Sequence, residues 1–188
     1  MTDTAWFLHA LDTPRGHEIA AELQAFADDA RFPVKPFITW AKPGQFEELT
    51  LNRAREWSLA NPGANVFYCH TKGAYHVFPG TEAWREWLMD RLVGAWPPRV
   101  KELERYDTTG LHYMTTEEFG PEIVQTPYYA GNFWWATTDY LSTLPELPEL
   151  TDATRGLAEA WIGTGNPRWK ALATGWPNPV RVSYEVPA

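Results

Sequence analysis

"NVFYCHTKG" (residues 65–73) starts as a buried strand and ends as something else. Val66, Phe67, Tyr68 and Cys69 form an apolar run, and His70, Thr71, Lys72 and Gly73 then turn polar at once. The strand leaves a core and presents an imidazole, a hydroxyl and an ammonium in succession at its carboxyl end. Upstream, "TAWFLHAL" (4–11) is a β-type apolar run, and "GHEIAAELQAFADDA" (16–30) puts Ile19, Ala20, Leu23, Phe26 and Ala27 at helical spacing. "VKPFITW" (34–40) reads as a second strand, with Pro36 marking its start or a sheet edge. "GQFEELTLNRAREWSLA" (44–60) repeats Phe46, Leu49, Ala54 and Trp57 on one face, and "NPG" stops it. Strand, helix, strand, helix, strand predicts a layered α/β domain with a mostly parallel sheet and helices on both faces. Such sheets bind ligands beyond the carboxyl ends of their strands, where His70, Thr71 and Lys72 fall.

The rest of the chain continues one domain over residues 1–188. "TEAWREWLMDRLVG" (81–94) predicts a helix capped by Thr81, with Trp84, Trp87, Leu88 and Leu92 on one face. "RYDTTGLHYM" (105–114) predicts a short strand, and the polar segment 115–129 a loop over the site. "AGNFWWATTDYLSTLP" (130–145) predicts a strand running into a short helix, "TDATRGLAEAWIG" (151–163) a helix, and the alternating "NPVRVSYEV" (178–186) a last strand.

Composition excludes several classes. With 44% hydrophobic and 21% charged residues the chain is ordinary globular material. No apolar stretch approaches the ~18–20 residues of a membrane span. The N-terminus carries Asp3 and no basic segment, unlike a secretory leader. The lone cysteine, Cys69, rules out an internal disulfide and a Cys-rich zinc site and suits a reducing, cytoplasmic setting. A net charge of −8 argues against a broad grip on nucleic acid, leaving only a local groove built from Lys72, Arg85, Arg99, Lys101 and Arg168. The eleven tryptophans read either as core or as ring platforms for a flat or sugar-like ligand.

Three clusters carry candidate chemistry. His70-Thr71-Lys72-Gly73 is either a solvated strand end or an anion site, with Lys72 as point charge, Thr71 as hydroxyl donor and Gly73 opening the backbone to a ligand. It is not a Walker loop, because GxxxxGK[ST] is absent. Gly131-Asn132-Phe133-Trp134-Trp135 is either a strand with packed indoles or, through Gly131 and Asn132, a ligand-contacting edge; alternation sends its adjacent indoles to opposite faces. Arg155 and Glu159 sit four apart on a predicted helix, as a plain ion pair or as a general base with its tuning cation. The scattered histidines (9, 17, 70, 76 and 112) give no HxxxH or HExxH, so no metal ligands are assigned.

"FYCHTKG", "WREWLM", "YDTTGL", "YYAGNFWWATTDYLSTLP" and "RGLAEAWIG", in that order over roughly residues 46 to 163, resemble a family of small GT-A-like glycosyltransferases of polysaccharide biosynthesis. The resemblance implies a GT-A-like (Rossmann-like) domain that moves a sugar from a nucleotide-sugar donor to a hydroxyl acceptor, either a glycan or a modified nucleic-acid base. It implies donor binding by His70, Thr71, Lys72 and Gly73. It places Gly131, Asn132, Trp134, Trp135 and Arg155 on the acceptor side. Glu159 becomes the base, with Asp139 as the second candidate. The Asp-x-Asp that holds a divalent ion in such folds is replaced here by His70-Thr71-Lys72, which leaves metal dependence open and lets Lys72 offset diphosphate charge directly. The competing reading is a catalytically degenerate domain that binds nucleotide or sugar without turnover.

Overall fold

The computed structural model describes residues 3–75, 80–121 and 124–173. Its elements are β1 (Thr4–Leu11), α1 (Pro14–Asp29), β2 (Pro36–Ala41), α2 (Glu48–Ala60), β3 (Asn65–His70), α3 (Thr81–Met89), α4 (Trp96–Glu102), β4 (Thr108–Gly110), β5 (Tyr113–Met114), α5 (Thr116–Phe119), β6 (Tyr128–Tyr129), β7 (Trp134–Thr137), α6 (Thr138–Leu141), α7 (Gly156–Ala160) and β8 (Trp169–Ala171). A six-stranded mixed sheet in the order β2-β1-β3-β7-β4-β8 forms the middle layer, and β5 and β6 pair as a small separate ribbon. β1 pairs in parallel with β2 and β3, and β4 with β8. β7 runs antiparallel to both of its neighbours, β3 and β4. The α/β class therefore holds, and β7 is the one strand of this sheet that reverses.

Alternation along the strands builds two apolar layers. Ala5 and Phe7 of β1, Val66 and Tyr68 of β3 and Trp134 of β7 face α2, α6 and α7. Trp6, Leu8 and Ala10 of β1, Phe67 and Cys69 of β3 and Trp135 of β7 face α1 and α3. Helices thus cover both faces. Pro36 opens β2, an edge strand, where its missing N–H leaves no ladder bond unmade. The α1 helix begins at Pro14 in its first turn, capped by the Thr13 hydroxyl, which accepts from Gly16 N–H.

Several expected boundaries shift. The helix expected over 44–60 begins at Glu48, so 44–47 is loop and Leu49 is exposed. Thr81 is the first residue of α3 rather than its cap, because Gly80 takes that place at φ 83°. The helix expected to 94 changes to a π turn over Asp90–Gly94. The strand expected over 105–114 divides into β4 and β5. The helix expected over 151–163 contracts to α7 plus a 3-10 turn at Trp161–Gly163. Segment 115–129 contributes α5 and β6, and its Phe119 and Tyr128 pack beside Met114, Val124 and Ala130 rather than over a site. The strand expected over 178–186 and His76 lie outside the described residues. No helix among the described residues is long and apolar enough to cross a membrane.

Candidate functional site

β1 and β3 run side by side and end together, with His9 in register with His70. Beyond them opens a cavity of about 770 Å³, bounded by the 44–47 loop, the turn after β3, the start of α3 and residues 152–159. His9, Glu47, His70, Lys72, Asp152, Arg155 and Glu159 supply its polar lining; Leu11, Phe46 and Trp84 supply apolar wall.

Glu47 stands at the centre of the buried polar network. Its Oε1 is 3.1 Å from His70 Nδ1, and its Oε2 accepts a 3.1 Å hydrogen bond from Asn132 Nδ2. Asn132 is itself fixed, because its Oδ1 accepts from the buried Trp134 indole N–H at 2.9 Å. Gly131 (φ 91°) and Asn132 (φ 53°) are both left-handed, a conformation that glycine and asparagine adopt most readily. That turn aims the Asn132 amide at Glu47 and the Gly131 carbonyl at His70, which donates to it from Nε2 at 3.1 Å. His9 Nδ1 lies 2.9 Å from the Thr50 hydroxyl on α2. Burial pushes His70 down to about 3, with the Lys72 charge adding to it, and burial pushes His9 down to about 4. Burial raises Glu47 above the usual carboxylate range, against the pull of His9, Asn132 and Lys72. Both imidazoles are therefore neutral at neutral pH. The Tyr68 hydroxyl, also buried, lies beside Glu47 without a hydrogen bond of ordinary geometry.

Lys72 enters from the turn after β3, with Nζ 3.9 Å above the Trp84 ring. Burial lowers its ammonium, while Glu159 and Glu47 favour the charge. Arg85 of α3 clamps the turn from behind: it is buried, donates to the Lys72 carbonyl at 2.9 Å and pairs with Glu22 of α1 at 2.8 Å. Gly73 sits at φ 92°, which favours glycine, and a Cβ there would crowd Thr81 Cγ2 at 3.0 Å. Glu159 reaches the same cavity from α7. Burial and Glu47 raise its carboxyl, and Lys72 and Arg155 oppose that rise.

The structure thus brings His70, Lys72, Gly73, Arg155 and Glu159 to one cavity. Thr71 also borders it, but its hydroxyl accepts the Leu11 amide at 3.2 Å, so that oxygen serves the β1–β3 junction rather than a ligand. Asn132 and Gly131 act one layer behind the cavity wall, through Glu47 and His70. Three expectations fail. Asp139 is exposed at the opposite end of the sheet, where it accepts from Gly63 N–H at 3.0 Å. It cannot act as a base in this cavity. Trp135 faces α3 on the other side of the sheet and donates to the Leu92 carbonyl at 3.0 Å. Trp134 is fully buried, stacked on Tyr68 with centroids 4.9 Å apart, and supports Asn132 rather than an acceptor.

The basic residues read as a groove do not converge either. Arg85 is buried against Glu22, Arg99 pairs with Glu102, and Arg168 pairs with Asp107 at the sheet end remote from Lys72. Among the described residues no group of three or more His, Cys, Asp or Glu side chains is arranged to hold a metal ion. Glu47, His9, Asp152 and Trp84 are site residues that the sequence reading did not single out.

Residues 20–172 match the model of a family described as a domain of unknown function (DUF8361). The match takes in Glu47, His70, Lys72, Asn132 and Glu159 and begins after β1, which supplies His9. No curated protein matches the sequence.

Proposed function

The chain belongs to the DUF8361 family, and we propose that this member is a glycosyltransferase that moves a sugar from a nucleotide-sugar donor to a hydroxyl acceptor. The observation that carries the reading is the cavity at the carboxyl ends of β1 and β3, in which two partly buried carboxyls, Glu47 and Glu159, face one lysine. Acid–base chemistry at neutral pH needs carboxyls whose environments tune them upward, and burial does that for both. Lys72 and Arg155 are the cations on hand for a diphosphate, and Trp84 offers a ring edge or face beside them. The finer fold assignment, a GT-A-like domain, belongs to this proposal. It draws support from the placement of the cavity at the ends of parallel strands, where α/β sheets bind nucleotides.

In the reaction, Lys72 and Arg155 hold the diphosphate. Glu159, next to both cations, is the base that takes the proton of the acceptor hydroxyl as that oxygen attacks the anomeric carbon. A divalent ion finds poor accommodation at Glu47, whose two oxygens are already engaged by His70 and Asn132. The test is a thermal-shift panel of nucleoside diphosphates and nucleotide sugars, each with Mn²⁺ and with EDTA, followed by turnover of whichever donor stabilises the protein. Stabilisation by one nucleotide series that survives EDTA, with sugar release or transfer, is the expected result. Stabilisation without hydrolysis or transfer would make this a binding domain, and no shift with any donor would remove the assignment.

A further inference from the structure

The proton inventory of the Glu47–His70 pair goes beyond that reading and rests on it for its chemistry. A carbonyl oxygen only accepts, so the 3.1 Å contact to Gly131 fixes a proton on His70 Nε2. Nδ1 then faces Glu47 Oε1 at 3.1 Å. An unprotonated nitrogen against a carboxylate would set lone pair against lone pair, so one further proton sits between them. It resides either on the imidazole, giving a buried ion pair, or on the carboxyl, giving two neutral groups.

The surroundings choose the second form. The groups that face Glu47 are His9 from β1, Tyr68 and His70 from β3, Lys72 from the following turn, Asn132 from the turn before β7 and Glu159 from α7. From the first turn of α2, Glu48 turns away to the Leu150 amide. A second cation at His70 would stand near Lys72 in a largely buried cluster, whereas a neutral carboxyl donating to a neutral imidazole creates no charge. On loss of that proton the Glu47 carboxylate keeps the Asn132 N–H and has the Lys72 ammonium as partner, provided Oε1 turns away from the unprotonated Nδ1 toward the cavity. Gaining a proton has no such provision.

We propose that Glu47, held protonated by His70, is the general acid of this site and Glu159 its general base. In the transfer step the acceptor O–H proton goes to Glu159 as the acceptor oxygen bonds to the anomeric carbon. The bond from that carbon to the diphosphate oxygen breaks, the Glu47 hydroxyl swings from His70 Nδ1 to the departing oxygen, and that oxygen takes its proton. Lys72 balances the carboxylate left behind. Both carboxyls then return to their starting states by exchange with water. A proton donor on the leaving oxygen fills the role that a divalent ion would otherwise serve.

Two measurements test this. The first is ¹⁵N NMR of His70 in the ligand-free protein at neutral pH, assigned by its loss in His70→Gln. A neutral imidazole protonated at Nε2 is expected. An imidazolium there overturns the proposal whatever the activity. The second is the pH profile of kcat/KM with the donor found by the panel. Glu47→Gln is expected to lower kcat by about 10²–10⁴-fold with little change in KM and to abolish the alkaline limb. His70→Gln, which can still donate to Gly131 and accept from Glu47, is expected to keep its fold and move that limb to lower pH. An alkaline limb retained in Glu47→Gln, or unmoved in His70→Gln, overturns the acid role. A neutral His70 in a protein that turns over no nucleotide sugar would instead sink the transferase reading, and the acid role with it, while leaving the proton where it is placed here.

Discussion

Asn132 is the residue on which the buried network turns, and Asn132→Ala tests it directly. Three losses add. The Trp134 indole N–H, 2.9 Å from Asn132 Oδ1 in a fully buried position, is left without a partner, at about 1–3 kcal/mol. Glu47 loses a hydrogen bond of 3.1 Å, at about 1 kcal/mol. Alanine must also hold the left-handed φ of 53°, at roughly 1–2 kcal/mol. The sum is roughly 3–6 kcal/mol, a large share of the stability of a domain this size. Urea unfolding monitored by tryptophan fluorescence reads it as a shift in midpoint at unchanged slope. The sharper readout is a double-mutant cycle with Trp134→Phe. That change removes the indole N–H and leaves a void of its own, but in its background Asn132→Ala no longer orphans a donor. The double variant should therefore lose about 1 kcal/mol or more less than the sum of the singles, beyond the ~0.3–0.5 kcal/mol of ordinary additivity. Additive losses, or a cost below about 1 kcal/mol for Asn132→Ala alone, would refute the network.

Four further outcomes follow from the same geometry. Lys72→Met should leave the fold intact, because the cation–π contact over Trp84 is worth only about 0.5–2 kcal/mol, yet abolish stabilisation by nucleoside diphosphates in thermal shift. Glu159→Gln should reduce kcat by about 10²–10⁴-fold with KM little changed, whereas Asp139→Asn, altered at the far end of the sheet, should keep wild-type turnover. Burial pushes Cys69 up to about 12, so a thiol reagent at pH 8 should label the protein only after denaturant is added. His9 is held neutral down to about 4 against an ordinary 6.5, so between those values the unfolded chain binds the more protons there. Its contribution is present above pH 6.5 and is lost on acidification toward pH 4. Comparing urea midpoints with His9→Gln isolates it from the raised Glu47, whose contribution has the opposite sign: the wild type should lose stability relative to the variant across that window.

The strand-helix alternation of the first 70 residues is legible because each element there carries its own period. Ile19, Ala20, Leu23 and Ala27 are buried along α1, and β3 emerges where its apolar run predicts. Glu47 was illegible for a physical reason. Two glutamates at the head of a helix are what the helix dipole favours in any exposed helix. Nothing local distinguishes Glu47 from Glu48; what buries Glu47 in the cavity is the approach of residues 70 and 132, far away in sequence. Trp84 reads as core by its spacing on α3, yet only one side of its ring packs inward, the other carrying Lys72.

The direction of β7 explains both the best and the worst of the site reading. In a parallel strand, residues that follow the strand arrive at the ligand end, which is where Asp139, the second candidate base, would have to stand. β7 runs the other way: Trp134 pairs with Tyr68 and Thr137 with Asn65. Its preceding turn, Gly131-Asn132, therefore arrives beside His70, and its following helix, with Asp139, is carried to the opposite end beside Gly63. A left-handed Gly-Asn turn placed before an antiparallel strand can present a carbonyl and an amide side by side. Here the carbonyl sets the tautomer of His70 and the amide holds the carboxyl of Glu47. A parallel β7 would have carried Gly131-Asn132 to the opposite end of the sheet and left His70 and Glu47 without these partners. The reversed strand supplies a site in which the location of one proton is defined.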